Sequence, residues 1–200
     1  MSLRGRNQFV FTLLPLAFAV GWTIQSGDGR VSLPADGAKP LFLEKDQGES
    51  RTRRITGNPM VGAKFILKVS PKNNGSQHLV LGTEELVEGS TIGTHKHLGP
   101  DEIVIVESGS VHAVVGDVQG DAHAGGLVFI PSDSWVTIKN TNNGPTNIVF
   151  LFSEPGFEDY MRCVSVADSE PVSNLSRDER KTCAHNGHVI FKSLEDPPKN

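Results

Sequence analysis

The 200-residue chain has little cysteine, no basic excess and no long helical pattern, and each shortage removes a class of protein. Two cysteines cannot build a disulfide scaffold or a cysteine-based zinc finger. Lys and Arg number 19 against 23 Asp and Glu, so no positive field draws the chain to nucleic acid. No stretch shows ten residues of helical periodicity before the C-terminal region, which argues against a helix bundle. There is no internal repeat and no low-complexity tract. With 37% hydrophobic residues, there is still enough apolar material for one core, which excludes a disordered chain.

The N-terminus reads as an address. Met1–Asn7 carries Arg4 and Arg6 and no acid. Phe9–Val20 follows as an apolar run broken by Thr12 and Pro15, and Ala17-Phe18-Ala19 supplies small residues at its end. This order predicts a secretory signal over 1–19 and an exported protein, periplasmic or extracellular. The run is shorter than the roughly 20 residues that cross a bilayer, so no stable membrane span is expected after cleavage. An uncleaved membrane anchor is the alternative. Export makes Cys163 and Cys183 candidates for a bridge, with two unrelated buried thiols as the other reading.

Residues 20–63 read as an N-terminal arm, rich in Gly and Pro, with Val31–Leu33 and Leu41–Leu43 as short edge strands. From Lys64 to Arg162 the texture changes. Phe65–Val69, His78–Leu81, Glu85–Val87, Ile103–Val106, Val111–Val115, Leu127–Ile130, Trp135–Ile138 and Ile148–Phe152 are short apolar runs separated by Gly, Pro and Asn turns. That punctuation predicts an all-β domain, an antiparallel sandwich or barrel. Residues 163–200 form an extension. Within it Ser176-Arg177-Asp178-Glu179 fits a capping box, and Gly187 can end the short helix that starts there.

The chemistry concentrates between Gly89 and Gly109. His95 and His97 are two apart, so on a strand both imidazoles face one side. Glu102 has the wrong parity for one straight strand, but Gly99-Pro100-Asp101 is turn material that can bring it back beside them. Two imidazoles and a carboxylate are a ligand set for Fe, Mn, Ni or Zn. An H-x-H pair alone would more often be two solvated strand histidines.

The wider pattern, Gly89-x5-His95-x-His97-x4-Glu102-x6-Gly109, resembles the first motif of the cupin superfamily at every defined position. Gly125, Pro131 and Asn140 are similar to the second motif, but Asp133 stands where that motif has Gly and Val136 where it has a metal-binding His. Pro155-Gly156-Phe157-Glu158 looks like the close of many small single-domain cupins. The resemblance implies a double-stranded β-helix, or jelly-roll barrel, with a divalent metal held by His95, His97 and Glu102. It does not carry over a fourth ligand, because Val136 cannot bind metal. That leaves either a weaker, sometimes empty site or a shell with more room for a chelating substrate.

Two functions follow from this resemblance. One is a metal-dependent enzyme of dioxygenase, isomerase or lyase type acting on a small polar substrate. The other is a non-catalytic protein binding a sugar or other small molecule. Proteins similar to this one often form homodimers through the arm before Lys64. His112, Trp135 and Val136 are the candidates for a substrate pocket, with His112 also readable as a structural histidine and Trp135 as core. His78 could face inward, and His123 reads as a turn residue. His185 and His188 read as helix-end residues, and Ser132-Asp133-Ser134 as a polar turn. Asn74-Gly75-Ser76 and Asn174-Leu175-Ser176 match the glycosylation sequon, which matters only in a host that glycosylates exported proteins.

Overall fold

The computed structural model describes residues 37–54 and 64–196. The secretory segment, the Val31–Leu33 patch and most of the arm lie outside the described residues. No helix among the described residues is long and apolar enough to cross a membrane.

Twelve strands among the described residues form two antiparallel sheets. The larger contains β1 (Glu49–Arg53), β2 (Lys64–Val69), β3 (Val80–Leu86), β5 (Glu102–Ser108), β8 (Leu127–Ile130), β10 (Thr146–Phe152) and β11 (Ser165–Ala167), in the order β11-β1-β2-β3-β10-β5-β8. The smaller contains β4 (Thr91–His97), β6 (Ser110–Val115), β7 (Val118–His123), β9 (Val136–Asn140) and β12 (Val189–Phe191), in the order β12-β4-β9-β6-β7. Helices are short: α1 (Pro71–Asn74), α2 (Phe157–Cys163) and α3 (Arg177–Asn186). This is a jelly-roll β-barrel with short helices, as the turn-punctuated pattern and the motif resemblance imply.

Alternation decides which side chains fill the interior. On β10 Ile148, Phe150 and Phe152 are buried while their neighbours are half-exposed. On β5 the buried series is Glu102, Val104 and Val106, so the carboxylate shares its face with two core valines. Each aliphatic side chain so buried stabilises the barrel by roughly 1.5–3 kcal/mol.

Several expected elements differ. The expected runs His78–Leu81 and Glu85–Val87 merge into one strand, β3 (Val80–Leu86), because Gly82 is not a turn. A Cβ there would collide with the Phe150 ring and the Ile66 carbonyl, so the missing side chain lets neighbouring strands pack. Leu41–Leu43 is not a strand. Phe42 is exposed, and the following loop is held by Lys68 Nζ, which donates to the Glu44, Lys45 and Gln47 carbonyls at 2.8–2.9 Å. The larger sheet begins before Lys64, at β1, whose polar sequence Glu-Ser-Arg-Thr-Arg gave no apolar signal. Arg53 is buried there because Glu84 on β3 accepts from its Nε and Nη2 at 2.7–3.0 Å. Helix α2 was also unmarked in the sequence, whereas α3 carries the expected Ser176/Glu179 capping box and ends at Gly187.

Candidate metal centre

The ends of β4 and β5, with the turn between them, assemble the site. His95 and His97 occupy alternate inward positions of β4 and are 3% and 2% exposed; Glu102, the first residue of β5, is 6% exposed. The turn is pinned from both sides. Leu98 N donates to the His188 carbonyl at 2.8 Å, and the Asp101 carboxylate accepts from Ser132 N at 2.8 Å. Asp133, at the motif's glycine position, adopts a φ of +62°. Its backbone N–H donates to the His97 carbonyl at 2.9 Å, and its carboxylate pairs with Lys96 at 2.8 Å, which holds this unusual conformation in place.

The three side chains converge. His95 Nε2 and His97 Nε2 are 3.2 Å apart, and His97 Nε2 lies 3.1 Å from Glu102 Oε2. All three donor groups offer atoms within 4.8 Å of one another. His95 Nδ1 is 2.8 Å from the Gly93 carbonyl. A carbonyl only accepts, so Nδ1 carries the proton and Nε2 presents a lone pair to the cluster. His97 Nδ1 and Glu102 Oε2 are buried without a hydrogen-bond partner. The 3.1 Å approach of Oε2 to His97 Nε2 is therefore a close contact that leaves the oxygen without a hydrogen bond. Burial, followed by the neighbouring His97, holds the His95 imidazole down at about 4, so it stays neutral at physiological pH.

These atoms fit a divalent transition metal. Two ligand atoms ~2.1 Å from an ion and at right angles to each other are ~3.0 Å apart, close to the two short edges seen here. A neutral imidazole with its far nitrogen bonded to a backbone carbonyl is the form that ligates metal. The unsatisfied carboxylate oxygen supplies negative charge where the ion would sit. Val136 lies directly opposite His95 on β9 and is fully buried, so an apolar side chain occupies the position at which the second motif has its histidine.

Aromatic rings cover the imidazoles. Phe191 stacks on His95 at 5.2 Å, while Phe157 and Phe152 meet His97 edge-on at 4.4 and 5.0 Å. Phe157 and Phe191 belong to α2 and β12, which sequence reasoning did not connect with the site. Phe157 carried a signal only as part of Pro155-Gly156-Phe157-Glu158, and Phe191 carried none. The buried Arg53–Glu84 pair was equally invisible. It faces the same aromatic end of the interior, where burial pushes the Tyr160 hydroxyl up to about 12, Arg53 and Glu84 acting in opposite directions.

The other candidates stand apart. His112 points outward from β6, half-exposed, and contacts Asp121 at 2.8 Å across the β6–β7 pair. Trp135 lies beside the outward-facing Lys96, with Lys96 and Lys192 at 5.6 and 4.8 Å from its ring. These placements correct the expectation that His112 and Trp135 line an interior pocket; of the three pocket candidates, only Val136 is buried and stands opposite a cluster residue, His95. His78, His123, His185 and His188 are exposed, and Ser132 Oγ accepts from Gly99 N in the site's outer turn. Asn74 is engaged with Ser70, Ser76 and Lys39, whereas Asn174 is exposed before α3. Cys163 and Cys183 form a disulfide between α2 and α3. Two surface grooves, of about 850 and 460 Å³, lie on the outer face of the larger sheet and at the β7–β8 edge, away from the three ligands.

Comparison with known proteins agrees with this geometry in one respect and is silent in another. The family model described as "Cupin domain" matches residues 82–152, which include His95, His97 and Glu102. No curated protein matches the chain. Among solved structures, the chain is similar to a predicted oxalate decarboxylase from Thermotoga maritima, at 20% identity over 57% of this chain and 100% of that one, with a TM-score of 0.49. It is also similar to a cupin-superfamily sugar phosphate isomerase from Silicibacter pomeroyi (17% identity, 58% of this chain and 77% of that, TM-score 0.48). An RmlC-like cupin from Shewanella frigidimarina is similar at 17% identity over 60% of this chain and 95% of that, with a TM-score of 0.46.

Proposed function

We propose that this chain, a cupin-superfamily protein, is a metal-dependent enzyme that acts on a small polar, chelating substrate at His95, His97 and Glu102. The observation that carries the reading is the convergence of two imidazole nitrogens and an unsatisfied carboxylate oxygen in a buried site. An Fe, Mn, Ni or Zn ion held there would act as a Lewis acid on an oxygen of the substrate.

The chain's own residues do the rest. Gly93 fixes the tautomer and orientation of His95. Glu102 brings one negative charge, which offsets part of a divalent ion's charge and favours its retention. Phe152, Phe157 and Phe191 exclude water, which strengthens each polar interaction inside the site. Val136 withholds a fourth protein ligand, so a chelating substrate meets a shell of only three. Dioxygenase, isomerase and lyase chemistry are all compatible with such a shell. Export to an oxidising compartment completes the proposal; it rests on the order of charges and apolar residues over 1–19.

A second reading, a non-catalytic protein that binds a small molecule, is favoured by one observation, the buried Val136 where the second motif has its fourth ligand. Elemental analysis of protein purified without chelator separates the two. Near-stoichiometric Fe, Mn, Ni or Zn in the wild type, absent from His97→Ala, supports the enzyme. Metal-free wild-type protein overturns it.

A further inference from the structure

The cover over the imidazoles is assembled from chain that follows the last long strand, β10. Phe157 and Tyr160 come from α2, Phe191 from β12, and Tyr160 bridges the other two rings at 5.2 and 5.1 Å. The two parts of this cover are anchored very differently. Helix α2 is tied to the barrel: Arg162 donates to Glu49, Ser70 and Asn73, and Tyr160 and Met161 are buried. Helix α3 has only two buried residues, Cys183 and Ala184. Its ion pairs, Arg177 and Lys181 with Asp196, are local and exposed, and such pairs contribute little. Strand β12 is three residues long and lies at the edge of the smaller sheet, where it pairs Val189, Ile190 and Phe191 with His97, Lys96 and His95. An edge strand can leave without breaking the ladder behind it.

Apart from Val189, which is buried beside Cys183 and Ala184, these attachments are few, and one covalent bond reinforces them. The Cys163–Cys183 disulfide joins the well-anchored α2 to α3, the helix that leads directly into β12. Gly187 sits between them against Tyr160; a Cβ there would overlap the Tyr160 backbone, so the bonded helices close tightly over the site.

We infer that α3 and β12 form a disulfide-latched cover: the Cys163–Cys183 bond holds Phe191 over His95, and reduction of the bond lets β12 leave the edge of β4 and uncover the His95 imidazole. The reductant is a dithiol. It attacks one sulfur, releases the other as a thiol and closes to its own cyclic disulfide, giving up two electrons and two protons to form the Cys163 and Cys183 thiols. What the cover exposes, a metal shell, rests on the function proposed above; the latch itself rests on the packing of α3 and β12.

The test measures opening in two ways on the full chain. Zn²⁺-loaded wild type and Cys163→Ser/Cys183→Ser are challenged with excess chelator, and amide hydrogen exchange is followed on both proteins without metal. A bond closing a segment of this length (sequence separation 20) constrains opening on the order of 100-fold. Metal release is expected to be 10- to 100-fold faster in the variant, with equilibrium affinity little changed. Leu98 N–H and the β4–β12 amides are expected to exchange faster, while β5 and β10 stay protected. Equal exchange at β12 in the two proteins overturns the latch. Failure of both proteins to bind Zn²⁺ overturns the metal reading instead, and hydrogen exchange still decides the latch. If the variant does not fold, wild type reduced in place by a phosphine replaces it. Faster exchange confined to α3 and β12 then supports the latch, and uniform loss of protection across the barrel overturns it.

Discussion

The two ends of the barrel interior are built from different chemistry. One end is aliphatic: Leu86, Val104, Val106, Val111, Ala113, Val136, Ile138 and Ile148 pack into one buried cluster with no ionisable group among them. The other is aromatic, with Phe65, Phe150, Phe152 and Tyr160 beside His95, His97, Glu102 and the Arg53–Glu84 pair, and it is closed by α2, α3 and β12. Single strands run through both regions. On β5, Glu102 stands at one end and Val106 toward the other, on the same face. The division of labour is therefore written along individual strands. The aliphatic end contributes packing alone, whereas the aromatic end adds to its packed rings the cost of buried, incompletely satisfied groups that a bound ion would complete.

Substitutions in the two ends should separate these roles. The largest effect is expected from Ile138→Ala, which empties space in the aliphatic cluster. It should lower unfolding stability by about 2–5 kcal/mol in urea titrations while leaving metal affinity per folded molecule unchanged. His97→Ala should do the reverse. Loss of second-sphere partners alone weakens metal sites ~10- to 100-fold, so removing a ligand should weaken Zn²⁺ binding at least ~100-fold, with the circular dichroism spectrum preserved. If either substitution moved both quantities together, the division between the ends would fail.

The acid response should also come from the polar end. His95 titrates at about 4 in the folded protein against 6.5 for an unperturbed imidazole. Its contribution to stability is present above pH 6.5 and is lost progressively as pH falls from 6.5 towards 4, because the unfolded chain binds the proton first. The slope in that window is at most ~1.4 kcal/mol per pH unit for this one group. Urea midpoints between pH 7.5 and 4.5 check it, and His95→Gln should flatten the curve.

How much of this was legible depends on how each residue is satisfied. The barrel strands and the His95/His97/Glu102 spacing were readable because alternation and a tight turn are local properties. Strand β1 was not, since its Arg53 is buried by a partner 31 residues away, on β3. Strand β7, Val-Gln-Gly-Asp-Ala-His, buries only Ala122 and so shows no apolar pattern. His112 was misplaced because the apolar residues around it gave parity but no direction, and Trp135 because its place next to Val136 did not show that it lies beside the outward-facing Lys96. The ring cover over the imidazoles depends on β12, three residues long and almost a hundred positions beyond β4, a pairing that no local pattern encodes.

Two smaller predictions sharpen the same contrast. Val136→His should raise Zn²⁺ affinity about 10-fold, because residue 136 faces His95 across the β4–β9 pair and would add a fourth ligand. Unchanged affinity in a folded variant would mean that the side chain does not reach the cluster. Asp121→Asn, which weakens the exposed His112 contact on the outer face, should change stability by less than about 0.5 kcal/mol and leave metal affinity untouched.

The most direct test of the central claim is anomalous X-ray diffraction from crystals of the full chain grown with Zn²⁺ and measured at the zinc edge. The account predicts one strong peak among His95 Nε2, His97 Nε2 and the Glu102 carboxylate, at ~2.0–2.2 Å from each, and no peak there in His97→Ala crystals. A fully loaded protein with its anomalous peak elsewhere, or with none between these three side chains, would contradict it.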